Sequence, residues 1–273
     1  MHHCKGVALL DSGVGGLTVV KEMSRQLPFE HIVYFGDTAR MPYGPRSPEE
    51  VRRFVYQIID FLLTQQIKLI VVACNSATAA GLEYYRARVE LPLLGVIEPG
   101  VQAALRQTRN GKVGVIGTSG TIDSGTYARA FQRLAPDVTL FSQACPLFVL
   151  VVENQLVHAP EVYRVAEEYL NPLKKAGVDT LILGCTHYPL LTEVIGAVMG
   201  PEVTLISSAE ETARETRCIL EEKKLLHPDE SSPVHRYYVS GPAGNFRSMA
   251  IKILGEEIRP YQVVLDGEAP LVV

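Results

Sequence analysis

The chain has 273 residues, of which 47% are hydrophobic and 21% charged, with a net charge of −4. That much apolar material builds a sizeable core and excludes a disordered chain. With 26 Lys and Arg against 30 Asp and Glu, no basic excess exists to neutralise a phosphate backbone, which argues against nucleic acid as a main partner.

In chain order, residues 1–6 read MHHCKG and carry no apolar segment before the first strand. No secretory signal is read there, and the expected location is the cytoplasm. His2 and His3 lack a third ligand and read as a loose terminus. A strand is predicted at 6–11, running into the turn Asp11-Ser12-Gly13-Val14-Gly15-Gly16 and a helix over 15–26. A strand at 31–35 leads through Asp37-Thr38-Ala39-Arg40-Met41-Pro42-Tyr43-Gly44, too elaborate for a plain linker, to a helix at 48–65 that opens on Pro48. A strand at 68–74 ends in Cys74-Asn75-Ser76 before a helix at 76–89. Then follow a strand at 93–97, a helix at 99–108, a strand at 112–117 ending in Gly117-Thr118-Ser119-Gly120-Thr121, and a helix at 121–134. After a strand at 138–141, the apolar run 147–152 closes on Glu153, which reads as a surface carboxylate. A helix at 160–176 stops at Gly177, and a strand at 180–185 ends in Cys185-Thr186-His187. A helix at 189–199, a strand at 203–206 and a helix at 209–222 complete the pattern. No apolar run, Pro146 to Val152 included, nears the about 20 residues of a membrane-spanning helix.

This alternation predicts an α/β protein with mainly parallel sheets covered by helices. A weak duplication divides it. Asp11 and Thr118 end similar strands 107 residues apart, and Cys74 and Cys185 do so 111 residues apart. The spacing predicts two similar domains of about 100 residues, with a break near residues 98–100 and a tail after about residue 207 that fits either one.

The five cysteines, Cys4, Cys74, Cys145, Cys185 and Cys218, form no CxxC, so a zinc site of the usual spacing is not predicted. Cys4, Cys145 and Cys218 read as ordinary free thiols. Cys74 and Cys185 are buried strand-end residues on one reading. On another they are functional thiols at the carboxyl ends of parallel strands, where ligands of open α/β sheets bind. A helix N-terminus there favours the thiolate, which predicts low thiol pKa values and sensitivity to alkylation. Two thiols on either side of an interdomain cleft suit inversion of a stereocentre, one removing a proton and the other returning one to the opposite face. A long-range redox pair is the competing reading. The turn after Asp11 fails GxGxxG because residue 18 is Thr18, and no Gly-Lys-Ser/Thr ends a Walker A loop. It remains either a small-anion turn using Ser12, with Asp11 in the cleft, or a tight turn capped by Asp11. The hydroxyls of Thr118 and Thr121 suit a carboxylate. His187, two residues after Cys185, suits an acid–base partner.

The segments ALLDSGVGGLTVV (8–20), VYFGDTARMPYG (33–44), VVACNSATA (71–79), VGVIGTSGT (113–121), ACPLFVLVVE (144–153) and LILGCTHYP (181–189) together resemble the cofactor-independent glutamate racemases of the aspartate/glutamate racemase superfamily. His187, where aspartate racemases usually carry Glu, points to glutamate. The resemblance implies that Cys74 and Cys185 are the acid–base thiols, the first acting on D-glutamate and the second on L-glutamate. It implies that Asp11 and His187 assist, one on each side. Asp11, Ser12, Pro42, Tyr43, Gly44, Asn75, Ser76, Thr118, Thr121, Thr186 and His187 are implied to line the substrate pocket, with Glu153 close by. It further implies two α/β domains, 1–98 plus 208–273 and 99–207, with the active site in the cleft between them. No cofactor, no metal, no membrane, a homodimer and a supply of D-glutamate for peptidoglycan complete the expectation. Ser76 replaces the usual Thr but keeps the hydroxyl, and Ser207 stands where Asp is common. The alternatives are racemisation of aspartate or a hydantoin on the same scaffold, or a non-catalytic amino-acid-binding protein.

Overall fold

A computed structural model describes residues 5–228 and 232–265, and the backbone of 271–272. The readings of His2, His3 and Cys4 lie outside the described residues.

The first run of elements is β1 (Gly6–Asp11), α1 (Leu17–Gln26), β2 (Ile32–Gly36), α2 (Pro48–Leu63), β3 (Ile67–Val72), α3 (Asn75–Arg86) and β4 (Leu93–Gly95). Next come α4 (Ile97–Gln107), β5 (Lys112–Gly117), α5 (Ser119–Asp123), α6 (Thr126–Leu134), β6 (Thr139–Ala144), α7 (Leu147–Glu153), α8 (Pro160–Ala176) and β7 (Thr180–Gly184). A 3₁₀ turn at Tyr188–Leu191 leads to α9 (Thr192–Met199), β8 (Thr204–Ser207) and α10 (Ser208–Glu222). The tail adds β9 (His235–Val239), α11 (Ala243–Leu254), β10 (Tyr261–Val264) and β11 (Leu271–Val272).

Strands β1, β2, β3 and β7 are buried at every position, which is why they read as mostly apolar runs; Lys68, the buried charge inside β3, is paired with Glu30 at 2.6 Å. α2 starts where Ser47 Oγ accepts from the Glu50 N–H at 3.2 Å and Pro48 needs no donor. Its buried Val51, Phe54, Val55, Ile58, Ile59 and Leu62 recur at helical spacing and cover one face of the first sheet. Successive residues of β1 feed opposite faces: Val7 and Leu9 enter one core cluster, Ala8 and Leu10 another.

The first sheet has the order β11-β10-β9-β2-β1-β3-β4 and the second β6-β5-β7-β8. All neighbouring strands are parallel except β10 with β11. Within the first sheet, β2-β1-β3-β4 repeats the order of the second, so the duplication read from the turns is a duplication of topology. Cys74 and Cys185 follow the third strand of each unit, and Asp11 and Thr118 stand at the end of the first. The tail strands β9 and β10 extend the first sheet alone. One core cluster runs from β1 and α1 through α7, α8 and α9, so the two sheets share a continuous interior.

Two predicted helices are broken. The stretch 121–134 divides into α5 and α6 at Gly125, whose φ of 66° is left-handed and cannot continue a helix. The stretch 189–199 opens as a 3₁₀ turn before α9. Residues 147–153, read only as an apolar run, form α7.

The carboxyl ends of the two sheets meet along a seam. The loop after β2, with a cis Met41–Pro42 peptide, reaches across it, and Gly44 C=O accepts from the Gly120 N–H at 3.0 Å. A Cβ on Gly120 would lie 2.6 Å from that carbonyl oxygen, so only glycine fits. Gly120→Ala is expected to lower stability in urea unfolding by about 1–3 kcal/mol through overpacking. Gly244→Ala, in open space in the first turn of α11, should be neutral or slightly stabilising. Equal midpoints for the two variants would contradict the close approach.

Candidate active site

The first sheet brings Asp11, Ser12, Cys74, Asn75 and Ser76 to the seam. Asp11 ends β1, and its Oδ2 accepts from the Gly13 N–H at 2.9 Å, folding the glycine turn back over the strand end. Tyr34 Oη donates to Gly13 C=O at 2.7 Å and holds the turn from behind. Burial pushes the Asp11 carboxyl above its usual range, while the His187 charge, the Gly13 and Gly16 N–H groups and the Thr186 hydroxyl pull it part of the way back. Cys74 is the N-cap of α3 and its Sγ accepts from the Ala77 N–H at 3.4 Å.

Burial nevertheless pushes the Cys74 thiol up to about 12, and the Asp11 charge adds to the rise. The Ala77 N–H and the Ser12 hydroxyl offset only part of it. This corrects the sequence expectation of a low thiol pKa at Cys74: one helix terminus does not outweigh desolvation beside a carboxylate.

The second sheet supplies Thr118, Thr121, Cys185, Thr186 and His187. Thr118 caps α5, and its Oγ1 lies 3.0 Å from Thr121 Oγ1 and 2.9 Å from Ser76 Oγ across the seam. Thr186 Oγ1 donates across the same seam to Asp11 Oδ1 at 3.2 Å. Cys185 differs from Cys74 in its setting. It stands at a bend before a turn and a 3₁₀ segment rather than an α-helix, and its Sγ lies 3.7 Å from His187 Nδ1. His187 Nε2 lies 2.6 Å from Glu153 Oε1. Burial opposes charge on the His187 imidazole, but the hydrogen bonds to Cys185 and Glu153 outweigh it and push its pKa up to about 10. The His187 imidazolium is thus held against Cys185 Sγ.

The seam encloses both thiols: Cys74 is 5% and Cys185 7% exposed, and the charge of Cys185 is felt at Cys74. A surface groove of about 720 Å³ lies elsewhere. It passes Arg52, Arg86 and Arg133, each paired with a glutamate, and holds none of these groups.

Glu153 is not the surface carboxylate that its position after an apolar run suggests, because α7 turns it onto His187. Pro42 is exposed, and the buried Tyr43 donates its hydroxyl to Asp37 Oδ2. Gly44 presses its backbone on Thr118 and Gly120. Cys145 is buried and Cys218 exposed. Two residues at the seam carried no role in the sequence reading. Asp37, fully buried, gathers Tyr43, the Arg40 guanidinium and Ser240 Oγ, and thereby ties the loop to the strand end of β9. Its place at the end of β2, as Asp11 at the end of β1, was the available signal. Tyr127, on α6, donates to Asn75 Oδ1 at 2.8 Å, and nothing local in the sequence marks it. Among the described residues, no group of three or more His, Cys, Asp or Glu side chains is arranged to hold a metal ion.

The sequence profile of Asp/Glu/Hydantoin racemases matches residues 10–216. The chain belongs to this racemase family. A glutamate racemase of Oceanobacillus iheyensis is 50% identical over 253 residues, 92% of each chain. The crystal structure of a Bacillus anthracis glutamate racemase isoform superposes with a TM-score of 0.95 at 46% identity, over 98% of this chain and 100% of that one. The Francisella tularensis glutamate racemase, in complex with D-glutamate, gives 0.91 at 35% identity, over 97% of this chain and 99% of that one. These racemases share the two-domain α/β fold described above.

The His187 pKa is raised above its ordinary 6.5, so the stability that its charge contributes is fully present below about 6.5 and lost as pH rises through about 10. A histidine NMR titration should therefore show His187 still protonated at neutral pH. Glu153→Gln should move its midpoint down by more than one unit. A wild-type midpoint near 6.5, or one unmoved by the substitution, would contradict the paired arrangement.

Proposed function

We propose that this protein is a glutamate racemase that exchanges the Cα proton between two thiols without a cofactor. One observation carries the reading: two cysteines at equivalent strand ends of two sheets of the same order are buried in one seam, in opposite electrostatic settings. Cys74 is held as a thiol by burial and Asp11. Cys185 lies against a protonated His187. With L-glutamate bound between them, the Cys185 thiolate takes the Cα proton and the Cys74 thiol delivers one to the opposite face, giving D-glutamate. The reverse reaction starts from the Cys74 thiolate and the Cys185 thiol. Neither sulfur alone can reach both faces of a bound carbon.

Asn75, Ser76, Thr118, Thr121 and Thr186 supply short hydrogen-bonding groups suited to the carboxylates and ammonium of an amino acid, together with Asp11 and Ser12. Seam closure excludes water from the carbanion-like species and strengthens these interactions. The loop through Pro42, Tyr43 and Gly44 walls the site by its backbone. Identity near half with glutamate racemases over nearly the whole chain favours glutamate over aspartate or a hydantoin. On this reading the domains are 1–98 plus 208–273 and 99–207, supported by the packing of α4 on β7 and β8. The enzyme is then a cytoplasmic homodimer whose product feeds peptidoglycan. Among the described residues no helix is long and apolar enough to cross a membrane.

Chiral chromatography of reactions with L-glutamate, D-glutamate, L-aspartate and a 5-substituted hydantoin tests the reading. Glutamate alone should racemise, and Cys74→Ala and Cys185→Ala should each lower kcat by about 10²–10⁴-fold. Turnover of aspartate in place of glutamate would refute the substrate, and full activity in both variants would refute the two-thiol mechanism.

A further inference from the structure

Asn75 carries an unspent donor. Its side chain is buried beside Cys74, at the start of α3, and its Nδ2 has no hydrogen-bond partner among the described residues. A buried amide N–H₂ without an acceptor is costly, so such a group persists where a ligand oxygen completes it. Its other end is fixed. Tyr127 Oη donates to Asn75 Oδ1 at 2.8 Å, and Tyr127 makes no other side-chain hydrogen bond to the described residues. A buried phenol needs an acceptor for its proton. Donation to Oδ1 meets that need and turns Nδ2 to the opposite side. A flipped amide would strand the acceptor instead.

Tyr127 belongs to the core of the second sheet, packed among Val101, Phe131 and Ile182. Its ring lies over Gly184, the residue before Cys185, where a Cβ would come within 3.3 Å of it. Asn75 belongs to the first sheet's side. The bond therefore links the strand end that carries Cys185 to the helix start that carries Cys74, and it forms only when the two halves are in register. Asn75 offers donors only on its free side, which fits a carboxylate oxygen and not an ammonium group.

We propose that Tyr127 is a positioning residue that locks the Asn75 amide so that Nδ2 donates to a carboxylate of the substrate. The proposal rests on the glutamate racemase reading above. An interaction made alike in ground and transition state sets KM rather than kcat. Because the carboxylate is common to both enantiomers, the effect is the same for each.

The experiment is steady-state racemisation by wild type, Tyr127→Phe, Asn75→Ala and the double variant, with melting curves for each. Tyr127→Phe keeps the ring and is expected to raise KM for L- and D-glutamate alike by roughly 3- to 10-fold with kcat nearly unchanged. In the Asn75→Ala background the same substitution should add nothing. Unchanged KM in Tyr127→Phe, or additive effects in the cycle, would overturn the proposal while leaving the racemase reading intact. A wild type that does not racemise glutamate would overturn both. Should Tyr127→Phe melt early, the wild type decides through the Asn75 side-chain amide resonances. They should shift on adding glutamate, and resonances that stay in place would overturn the proposal.

Discussion

The structure depends on one constraint: several ionisable groups are buried together where two sheets meet. Asp11, Cys74, Cys185 and His187 are nearly inaccessible, and Glu153 is close to it. An uncompensated buried charge costs several kcal/mol, so each group must find a partner, and many partners lie on the other side of the seam. Thr186 serves Asp11, Thr118 meets Ser76, Tyr127 meets Asn75, and the Gly120 N–H meets Gly44. These contacts are satisfied together in a single register of the halves. The glycines at the seam follow from the same constraint, since a methyl group at Gly44 would strike the Thr118 side chain and one at Gly120 the Gly44 carbonyl.

Within that register, topology is symmetric and electrostatics are not. The two units repeat one strand order and place a cysteine at the same point of each. Around Cys74 the fold sets desolvation and a carboxylate against a single N–H and a hydroxyl, and the thiol keeps its proton. Around Cys185 it sets an imidazole backed by a glutamate. The proposed transfer between two faces requires opposite protonation. On that proposal a duplicated fold supplies matched positions, and a few unmatched neighbours assign them complementary tasks.

Much of this was legible in the sequence because buried parallel strands are continuously apolar and their ends are marked by small polar turns. The strand at 112–117 and the helix at 160–176 were read to the residue. What escaped had no local signal. β9 and β10 are short and partly exposed, and they exist as strands through pairing with β2 and with each other. Glu153 looks like a surface carboxylate until α7 is packed against the turn that follows Cys185. Tyr127 looks like any core tyrosine, since its partner Asn75 lies 52 residues away. The lowered thiol pKa expected from helix position failed at Cys74 because the sequence shows the helix but not the depth of burial.

In the proposed mechanism one sulfur removes the Cα proton and a different one supplies its replacement. The most direct measurement is racemisation of L-glutamate in D₂O, stopped at early conversion, with deuterium at Cα read separately in each enantiomer by mass spectrometry. The mechanism predicts D-glutamate carrying one solvent deuterium beside recovered L-glutamate that is still protonated. D-glutamate that keeps the substrate's own hydrogen, or deuterium appearing equally in both enantiomers from the start, would contradict it.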